Sequence, residues 1–323
     1  MPNAAAGGDA IAVCTALDAG YLPLVLVVAT SIAASALPSS RVVFHVLYDG
    51  PDTWAVRQAQ RWRHPRLEIV LHRLPNPYAH IGTLGGYPPS TLFRFAVPQV
   101  LAELDRVIYL DVDLIVEADL NELFHASLDG KPMGAVRDIR LIDRALTSAP
   151  DRQRQRDDTR DYLRTALGLD TDDAMLNYVQ AGVAVLDLRQ LRDLDYASRM
   201  HDTVRRLGRA LRYADQCATN AAFRGDIAIL DPRWNVFPEA LPDGEWPDVI
   251  PQLRAAVAAQ RSGPRIIHFA YLKPWRHFGL PGGDRWWRHA RRAGLGPYYL
   301  CQLIAARAGM RWNRLRTLLG RLR

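Results

Sequence analysis

The sequence predicts an α/β fold in which a mixed, mostly parallel sheet carries helices on both faces. Residues 11–17, 41–48 and 67–74 are short runs rich in Val, Ile and Leu, and each ends at Asp, Gly or Pro. An apolar helical segment separates the first two runs, and residues 53–63, polar at helical spacing, separate the next two. Strands that alternate with helices about every 30 residues are typical of βαβ units, whose strands are parallel.

The rest of the chain continues this alternation with interruptions. Residues 107–116 are predicted as the fourth strand and residues 133–136 as a fifth. Residues 137–173 are polar and charged, which indicates either helices and a loop that border a substrate site or a solvated face. Later strand-like runs are residues 178–188, 227–231 and 265–269, and a Trp- and Pro-rich region and one further helix precede the last of them.

Composition and cysteine usage predict a globular protein of the cytoplasm. The chain has 323 residues, of which 49% are hydrophobic, and this is ample for a packed core. Its three cysteines lie at no metal-like spacing, which argues against a disulfide framework or a zinc site and favours a reducing compartment. No secretory pattern is present at the N-terminus, and residues 22–37, the longest apolar run, fall short of the ~20 residues of a membrane-spanning helix.

Two carboxylates interrupt the apolar run at residues 109–116, which reads YLDVDLIV. Ligands of open α/β sheets lie outside the carboxyl ends of the strands, and Asp111 and Asp113 fall near such an end. In an extended chain residues two apart point to the same side. Burying an unpaired carboxylate is costly, and carboxylate oxygens suit Mg²⁺ or Mn²⁺. The sequence therefore predicts a divalent cation here, with a solvated strand end as the alternative.

A second polar cluster follows the last strand-like run, in IIHFAYLKPW of residues 266–275. His268 offers an imidazole for a cation, and Lys273 offers an ammonium for a diphosphate. Each residue alone is more often a hydrogen-bonded core histidine or a solvated lysine. Taken together with the two aspartates, they indicate one site shared by a cation and a diphosphate.

Six short motifs follow one another along about residues 10 to 280. They are Asp18-Ala-Gly-Tyr21, Tyr109-Leu-Asp-Val-Asp113, Tyr178-Val-Gln-Ala-Gly-Val-Ala-Val-Leu-Asp-Leu188, Ala214-Asp-Gln216, Arg233-Trp-Asn235 and His268-Phe-Ala-Tyr-Leu-Lys-Pro-Trp275. In this order they resemble the motifs of the family-8 glycosyltransferases, which include lipooligosaccharide galactosyl- and glucosyltransferases, glycogenin and galactinol synthase.

The resemblance implies a nucleotide-sugar-binding fold of the GT-A type, a UDP-hexose donor (UDP-glucose or UDP-galactose), Mn²⁺ or Mg²⁺, and transfer with retention of anomeric configuration. It implies that Asp111, Asp113 and His268 bind the metal, that Lys273 contacts the diphosphate and that Asp18 binds the uracil. Donor-binding positions of the family are matched by Asp18, Tyr21, Arg94, Asp111, Val112, Asp113, Gln180 and Lys273. Asp138 and Asp215 resemble residues that hold the donor sugar, and Gln216 resembles the glutamine beneath the anomeric carbon.

The chain departs from the family pattern at three places. Gly20 replaces the Asn that usually precedes the tyrosine of the first motif, and Gln180 replaces the Asn of the Asn-Ala/Ser-Gly motif. The His-x-x-Gly-x-x-Lys spacing is one residue shorter here, and Tyr271 stands near the place of its glycine. Loss of that glycine affects how closely the backbone can approach a phosphate.

Retention requires either two displacements or attack on the same face of the sugar. Gln216 carries an amide, which is a poor nucleophile, and this favours same-face attack in which the departing phosphate oxygen accepts the acceptor's proton. The alternative is a covalent intermediate on Asp215 or Asp138.

The C-terminal segment is basic and amphipathic, and we predict a catalytic domain at residues 1–282 and a helical tail at residues 283–323. Ten arginines and no acidic residue lie beyond Asp284. Apolar residues recur at helical spacing between the arginines: Ile304, Ala308, Trp312, Leu315, Leu319 and Leu322. This pattern is typical of an interfacial helix on an anionic membrane, with an ordinary docking helix as the alternative. No motif predicts nucleic-acid binding.

Together these features predict a metal-dependent hexosyltransferase, cytoplasmic and peripheral on the inner face of the membrane. Its expected acceptor is a lipopolysaccharide, another glycolipid or a surface glycan. The alternatives are a protein or polyol glycosyltransferase, and a nucleotide-sugar- and membrane-binding protein whose catalysis is weak or lost. The shortened segment between His268 and Lys273 favours the last of these.

Overall fold

The structure is a computed structural model and describes residues 10–246 and 248–308. Its strands are Ala10–Asp18 (β1), Arg41–Asp49 (β2), Leu67–Arg73 (β3), Arg106–Leu110 (β4), Leu114–Val116 (β5), Met133–Arg137 (β6), Val179–Asp187 (β7), Ile227–Ile229 (β8) and Ile266–His268 (β9). Its α-helices are Leu22–Ser35 (α1), Trp54–Arg61 (α2), Val97–Val100 (α3), Asn121–Phe124 (α4), Ile139–Leu146 (α5), Gln153–Thr165 (α6), Asp172–Leu176 (α7), Leu188–Asp193 (α8), Tyr196–Leu207 (α9), Ala214–Ala222 (α10), Pro251–Ser262 (α11), Gly283–Arg292 (α12) and Gly296–Arg307 (α13). Turns of 3₁₀-helix cover Ala79–Ile81, Pro89–Ala96, Pro150–Arg152, Gly208–Ala210, Pro232–Trp234 and Pro238–Ala240.

A seven-stranded mixed sheet organises the fold, in the order β3-β2-β1-β4-β7-β6-β8. The pairs β2–β3, β1–β2, β1–β4 and β6–β8 are parallel. Strand β7 runs antiparallel to both of its neighbours, β4 and β6. Apolar clusters pack on both faces of the sheet. The predicted α/β class with a mixed, mostly parallel sheet is therefore confirmed.

The prediction of one continuous fourth strand over residues 107–116 is wrong. Strand β4 ends at Leu110, and β5 begins at Leu114 and pairs antiparallel with β9 in a separate two-stranded sheet. Asp111 and Asp113 lie in the bend between these strands. The directions of their side chains therefore do not follow from the side-chain alternation of an extended chain. A continuous strand would bury a carboxylate within the sheet without a partner, whereas the bend turns both aspartates toward cationic side chains.

Helix α1 shows how an apolar helix accommodates three hydroxyl groups, of which Ser31 is buried and Thr30 and Ser35 are half-buried. Thr30 and Ser31 donate to the carbonyl oxygens of Leu26 and Val28, both at 2.7 Å, and Ser35 bonds the preceding turn in the same way. Ser31 also accepts a hydrogen bond from the backbone of β5 at 3.0 Å. Each of the three hydroxyl groups thus has a partner, which offsets the cost of taking it out of water.

The described part of the predicted tail packs on the domain. Helix α12 lies against α1, and the Trp286 side chain is fully buried, with ring centroids 5.1 Å from Trp275 and 5.0 Å from Tyr299. Of the apolar residues predicted for the interfacial helix, Trp312, Leu315, Leu319 and Leu322 lie outside the described residues. The domain division at residue 282 stays a prediction. Among the described residues, no helix combines the length and the hydropathy needed to cross a membrane.

Candidate active site

A cleft of about 210 Å³ opens where β1 and β4 end, which is where open α/β sheets bind ligands. The structure brings eleven of the twelve residues singled out from the sequence to its wall: Asp18, Tyr21, Arg94, Asp111, Val112, Asp113, Gln180, Asp215, Gln216, His268 and Lys273. The twelfth, Asp138, lies behind Gln216 and contacts that side chain rather than the cleft. These residues come from segments that are far apart along the chain, so the fold assembles the site.

Asp111, Asp113 and His268 converge as a potential metal site. One ligand atom from each lies within 4.8 Å of the others. Nε2 of His268 is 3.1 Å from Oδ1 of Asp113 and 3.8 Å from Oδ2 of Asp111. Two carboxylates and one imidazole match the oxygen and nitrogen ligands that Mn²⁺ accepts.

The orientation of His268 supports this assignment. Asn235 donates through Nδ2 to Oε1 of Gln180 at 2.6 Å, so its Oδ1 faces Nδ1 of His268 at 3.0 Å. This arrangement places the imidazole proton on Nδ1 and turns the lone pair of Nε2 toward Asp113. Two electron-pair donors 3.1 Å apart need a proton or a cation between them. The residues present therefore fit a divalent cation.

Arg94 compensates the charge of two carboxylates, the buried Asp215 and the half-buried Asp111. Its Nη2 donates to Oδ1 of Asp111 at 2.6 Å, and its Nε lies 3.0 Å from Oδ2 of Asp215. Nη1 donates to the carbonyl of Ala181 at 2.8 Å, and the guanidinium lies 4.3 Å from the centroid of the Tyr109 ring. Burial raises the pKa of Asp215 to about 6, although Arg94 acts to lower that pKa. The guanidinium thus holds two walls of the cleft together.

Lys273 compensates the charge of Asp113. Its Nζ donates to Oδ2 of Asp113 and, at 2.8 Å each, to the carbonyl oxygens of Phe269 and Ala270. Burial acts to raise the pKa of Asp113, but the Lys273 ammonium outweighs it and holds that pKa well below its usual range. Asp113 is therefore a carboxylate in the folded protein.

Gln216 has a fixed orientation in the wall of the cleft. Its Nε2 donates to Oδ2 of Asp138 at 2.9 Å and to the hydroxyl of Tyr178 at 3.3 Å. Oδ1 of Asp138 caps α5 by accepting from the Leu141 N–H at 2.9 Å. Burial raises the pKa of Asp138, while the bonds from Leu141 and Gln216 lower it. The amide nitrogen points at Asp138, and the amide oxygen of Gln216 lies 3.5 Å from the Ala181 N–H in the wall of the cleft.

Asp18 is held at the rim by its neighbours. Oδ1 accepts from the Gly20 N–H and Oδ2 accepts from the Ser90 hydroxyl, both at 2.8 Å. Ser90 belongs to the 3₁₀ turn that also carries Arg94, so this turn positions two residues of the site. The uracil contact of Asp18 and the donor contact of Tyr21 stay predictions.

The family assignment follows from a match over most of the chain. The sequence model described as "Glycosyl transferase family 8" matches residues 12–279. The chain belongs to this family. The assignment predicted from the six motifs is confirmed.

Curated relatives of this family-8 chain are distant. Lipopolysaccharide 1,2-glucosyltransferase of Escherichia coli (strain K12) is 23% identical over 235 residues, which cover 70% of this chain and 62% of that protein. Glycosyltransferase GlyF of Streptococcus pneumoniae serotype 4 (strain ATCC BAA-334 / TIGR4) is 23% identical over 200 residues, which cover 61% of this chain and 41% of that protein. The chain therefore spans less than two thirds of the length of either relative.

Solved structures confirm the GT-A fold. Galactosyltransferase LgtC in complex with donor and acceptor sugar analogs superposes with a TM-score of 0.70 at 22% identity, over 87% of this chain and 96% of LgtC. The apo structure of the bifunctional glycosyltransferase WbbM superposes with a TM-score of 0.71 at 20% identity, over 93% of this chain and 52% of WbbM. At these identities the likeness establishes the fold alone.

Sequence reasoning gave no role to two residues that shape the site. Asn235, within the Arg-Trp-Asn motif, orients His268, and that motif was the available signal. Gly182 approaches the metal ligands so closely that a Cβ atom there would clash with Cε1 of His268 and lie 2.5 Å from Oδ2 of Asp111. The glycine of Gln-Ala-Gly is thus required for space at the metal site, since real Cβ atoms do not approach other atoms this closely.

Proposed function

We propose that this family-8 chain is a metal-dependent retaining glycosyltransferase that moves glucose or galactose from a UDP-sugar to a hydroxyl of a lipopolysaccharide, another glycolipid or a surface glycan. The observation that carries the proposal is the convergence of Asp111, Asp113 and His268 within 4.8 Å at the wall of a cleft. The named activity of the lipopolysaccharide 1,2-glucosyltransferase and the sugar analogs bound to LgtC support this substrate class.

The residues of the site have distinct roles in this proposal. Asp111, Asp113 and His268 would hold Mn²⁺ or Mg²⁺, which neutralises diphosphate charge as the leaving group departs. Asp18 and Tyr21 would bind the uridine at the rim. Arg94 and Asp215 would hold the donor sugar, because they line the cleft next to the metal ligands.

The geometry favours same-face attack over a covalent intermediate. Oδ2 of Asp215 lies 3.0 Å from Nε of Arg94, and both oxygens of Asp138 accept hydrogen bonds. Neither carboxylate is poised as a free nucleophile. The Gln216 amide oxygen, held toward the cleft, would instead stabilise positive charge that develops at the anomeric carbon, while the leaving phosphate oxygen takes the acceptor's proton.

A donor-binding protein with weak or lost catalysis is the second candidate. It is favoured by the contact of Lys273 with Asp113, because the ammonium group uses a carboxylate that a metal would need. This candidate predicts UDP binding without sugar transfer or hydrolysis.

We expect slow UDP release from one UDP-hexose when Mn²⁺ is present, and loss of that release with EDTA. The rate should be measured over a panel of UDP-sugars for the wild type and for Asp113→Asn, with UDP binding followed by calorimetry. Asp113→Asn should lower the metal-dependent rate by at least about 10-fold, because it removes an ionised ligand. Absence of UDP binding in the presence of metal would reject the glycosyltransferase proposal, and binding without release from any sugar would favour the second candidate.

We further propose that the chain is cytoplasmic and attaches peripherally to an anionic membrane through residues 309–323. Five arginines of this segment, Arg311, Arg314, Arg316, Arg321 and Arg323, support the proposal, because basic residues near an anionic surface each add about 1 kcal/mol of attraction. The full chain should sediment with vesicles that contain phosphatidylglycerol and not with phosphatidylcholine alone. A chain that ends at residue 308 should lose this binding, and equal sedimentation of both proteins would contradict the proposal.

A further inference from the structure

The ammonium group of Lys273 has no hydrogen-bond donor left for a substrate. A lysine ammonium has three N–H donors. In Lys273 they go to Oδ2 of Asp113 and to the carbonyl oxygens of Phe269 and Ala270. A contact between Lys273 and a diphosphate therefore requires that the ammonium first releases at least one of these partners.

Asp113 already uses one of its two oxygens for Lys273. Its Oδ1 faces His268 Nε2 at 3.1 Å and its Oδ2 accepts from Lys273. In Asp111, Arg94 takes only Oδ1 and leaves Oδ2 on the side of His268. A divalent cation that binds Asp113 would stand next to the Lys273 ammonium in a largely buried site, where the repulsion between like charges is poorly screened.

The short segment between His268 and Lys273 creates this arrangement and limits how it can change. His268 is buried at the end of β9, and Trp275 is buried among Trp286 and Tyr299. The backbone is thus anchored on both sides of Lys273. The flexible four-carbon stem of the lysine is the part that can swing from Asp113 to another anion.

We propose that Lys273 and the divalent cation compete for Asp113, so that the cation binds strongly only together with a nucleoside diphosphate. The diphosphate offers the ammonium a new anionic partner when the cation takes the carboxylate. Lys273 has one partner in each state: its ammonium neutralises Asp113 in the free protein and contacts the diphosphate in the complex. The inference rests on the proposed cation and diphosphate site.

The exchange predicts opposite effects of Lys273→Met on the two ligands. Binding of Mn²⁺ alone, followed by the electron paramagnetic resonance signal of free Mn²⁺, should be at least about 10-fold tighter in Lys273→Met than in the wild type. Binding of UDP in the presence of Mn²⁺, followed by calorimetry, should be about 10-fold weaker. The factor by which UDP tightens Mn²⁺ binding should therefore be much smaller in the variant. A purely structural role of Lys273 would instead weaken both ligands.

The chain offers a matched control in Lys131, its only other lysine. Nζ of Lys131 donates to the carbonyl of Ile227 at 3.3 Å, and this lysine does not line the cleft. Lys131→Met should leave both affinities unchanged. Lys273→Gln, which keeps hydrogen-bonding capacity without the charge, provides a second variant with the same expected direction for Mn²⁺.

The measurements separate failure of this inference from failure of the proposed function. Folded Lys273 variants that bind Mn²⁺ alone no more tightly than the wild type would overturn the competition. If none of the proteins bound UDP with Mn²⁺ present, the glycosyltransferase proposal would fail, and the Mn²⁺ affinities measured without UDP would still decide the competition.

Discussion

Replacing Arg94 by methionine should lower the free energy of unfolding by about 3–5 kcal/mol, the usual cost of leaving a buried charge without its partner. The Arg94 side chain is 10% exposed and lies between Asp111 and Asp215 at 2.6 and 3.0 Å. Methionine fills much of the space of the aliphatic stem, so the loss would come mainly from the two carboxylates rather than from a cavity.

Urea denaturation of Arg94→Met and Arg254→Met would measure this effect against a matched control. Arg254 also pairs with an aspartate, Asp248 at 3.4 Å, but their side chains are 61% and 82% exposed. An exposed pair of this kind contributes roughly 0–1 kcal/mol. Equal destabilisation by the two substitutions would show that Arg94 does not compensate the charges of Asp111 and Asp215.

The decrease in the free energy of unfolding caused by Arg94→Met should also depend on pH. The pKa of Asp215 is raised to about 6 in the folded protein, above its ordinary value of 3.8, so the folded state holds this proton more tightly. Protonated Asp215 therefore contributes to the free energy of unfolding at low pH. This contribution is lost as the pH rises through about 6. Without Arg94 the ionised form is less favourable still. The destabilisation of Arg94→Met relative to the wild type should therefore be larger at pH 8 than at pH 5, and the reverse order would contradict this account.

The sequence carried enough information for the α/β class with a mixed, mostly parallel sheet and for most of the residues that line the cleft. Runs of Val, Ile and Leu marked strands, because a strand buried on both faces needs apolar side chains in succession. The apolar segment of α1 could be identified as a buried helix, since its hydroxyl groups can bond the carbonyl oxygens of the preceding turn. Because ligands of open α/β sheets bind outside the carboxyl ends of the strands, the predicted strand ends indicated where the cleft would be.

The partners of the carboxylates could not be predicted in the same way. The sequence predicted a bound cation as the partner of Asp111 and Asp113. The structure shows that Arg94 already contacts Asp111 and that Lys273 already contacts Asp113. These residues lie 17 and 160 positions away along the chain from their partners. Hydrogen-bond direction at Gln216 is equally non-local, because Asp138 sets it from 78 positions away. Such contacts depend on how separate elements pack, which periodicity and local spacing do not encode.

Asp138→Asn should reduce kcat by about 100-fold or more, a magnitude typical for the loss of one preorganised polar group in an active site. Asp138 uses one oxygen for the Leu141 N–H and the other for Nε2 of Gln216. Asparagine has a single oxygen. If it keeps the helix cap, it presents an amide nitrogen to the amide nitrogen of Gln216, and two donors then face each other. Gln216 must rotate its amide, which replaces the oxygen on the cleft side by an N–H group.

Asp187→Asn is the matched control, because Asp187 has the same arrangement outside the cleft. Its Oδ1 caps α8 through the Gln190 N–H at 3.0 Å, and its Oδ2 accepts from the Gln190 side-chain amide at 2.9 Å. Only Asp138→Asn should lower kcat for the donor identified by UDP release. Wild-type kcat in Asp138→Asn would show that the amide oxygen of Gln216 does not act on the reacting sugar. An equal loss in both variants would assign the effect to the helix caps, since that is the feature the two aspartates share.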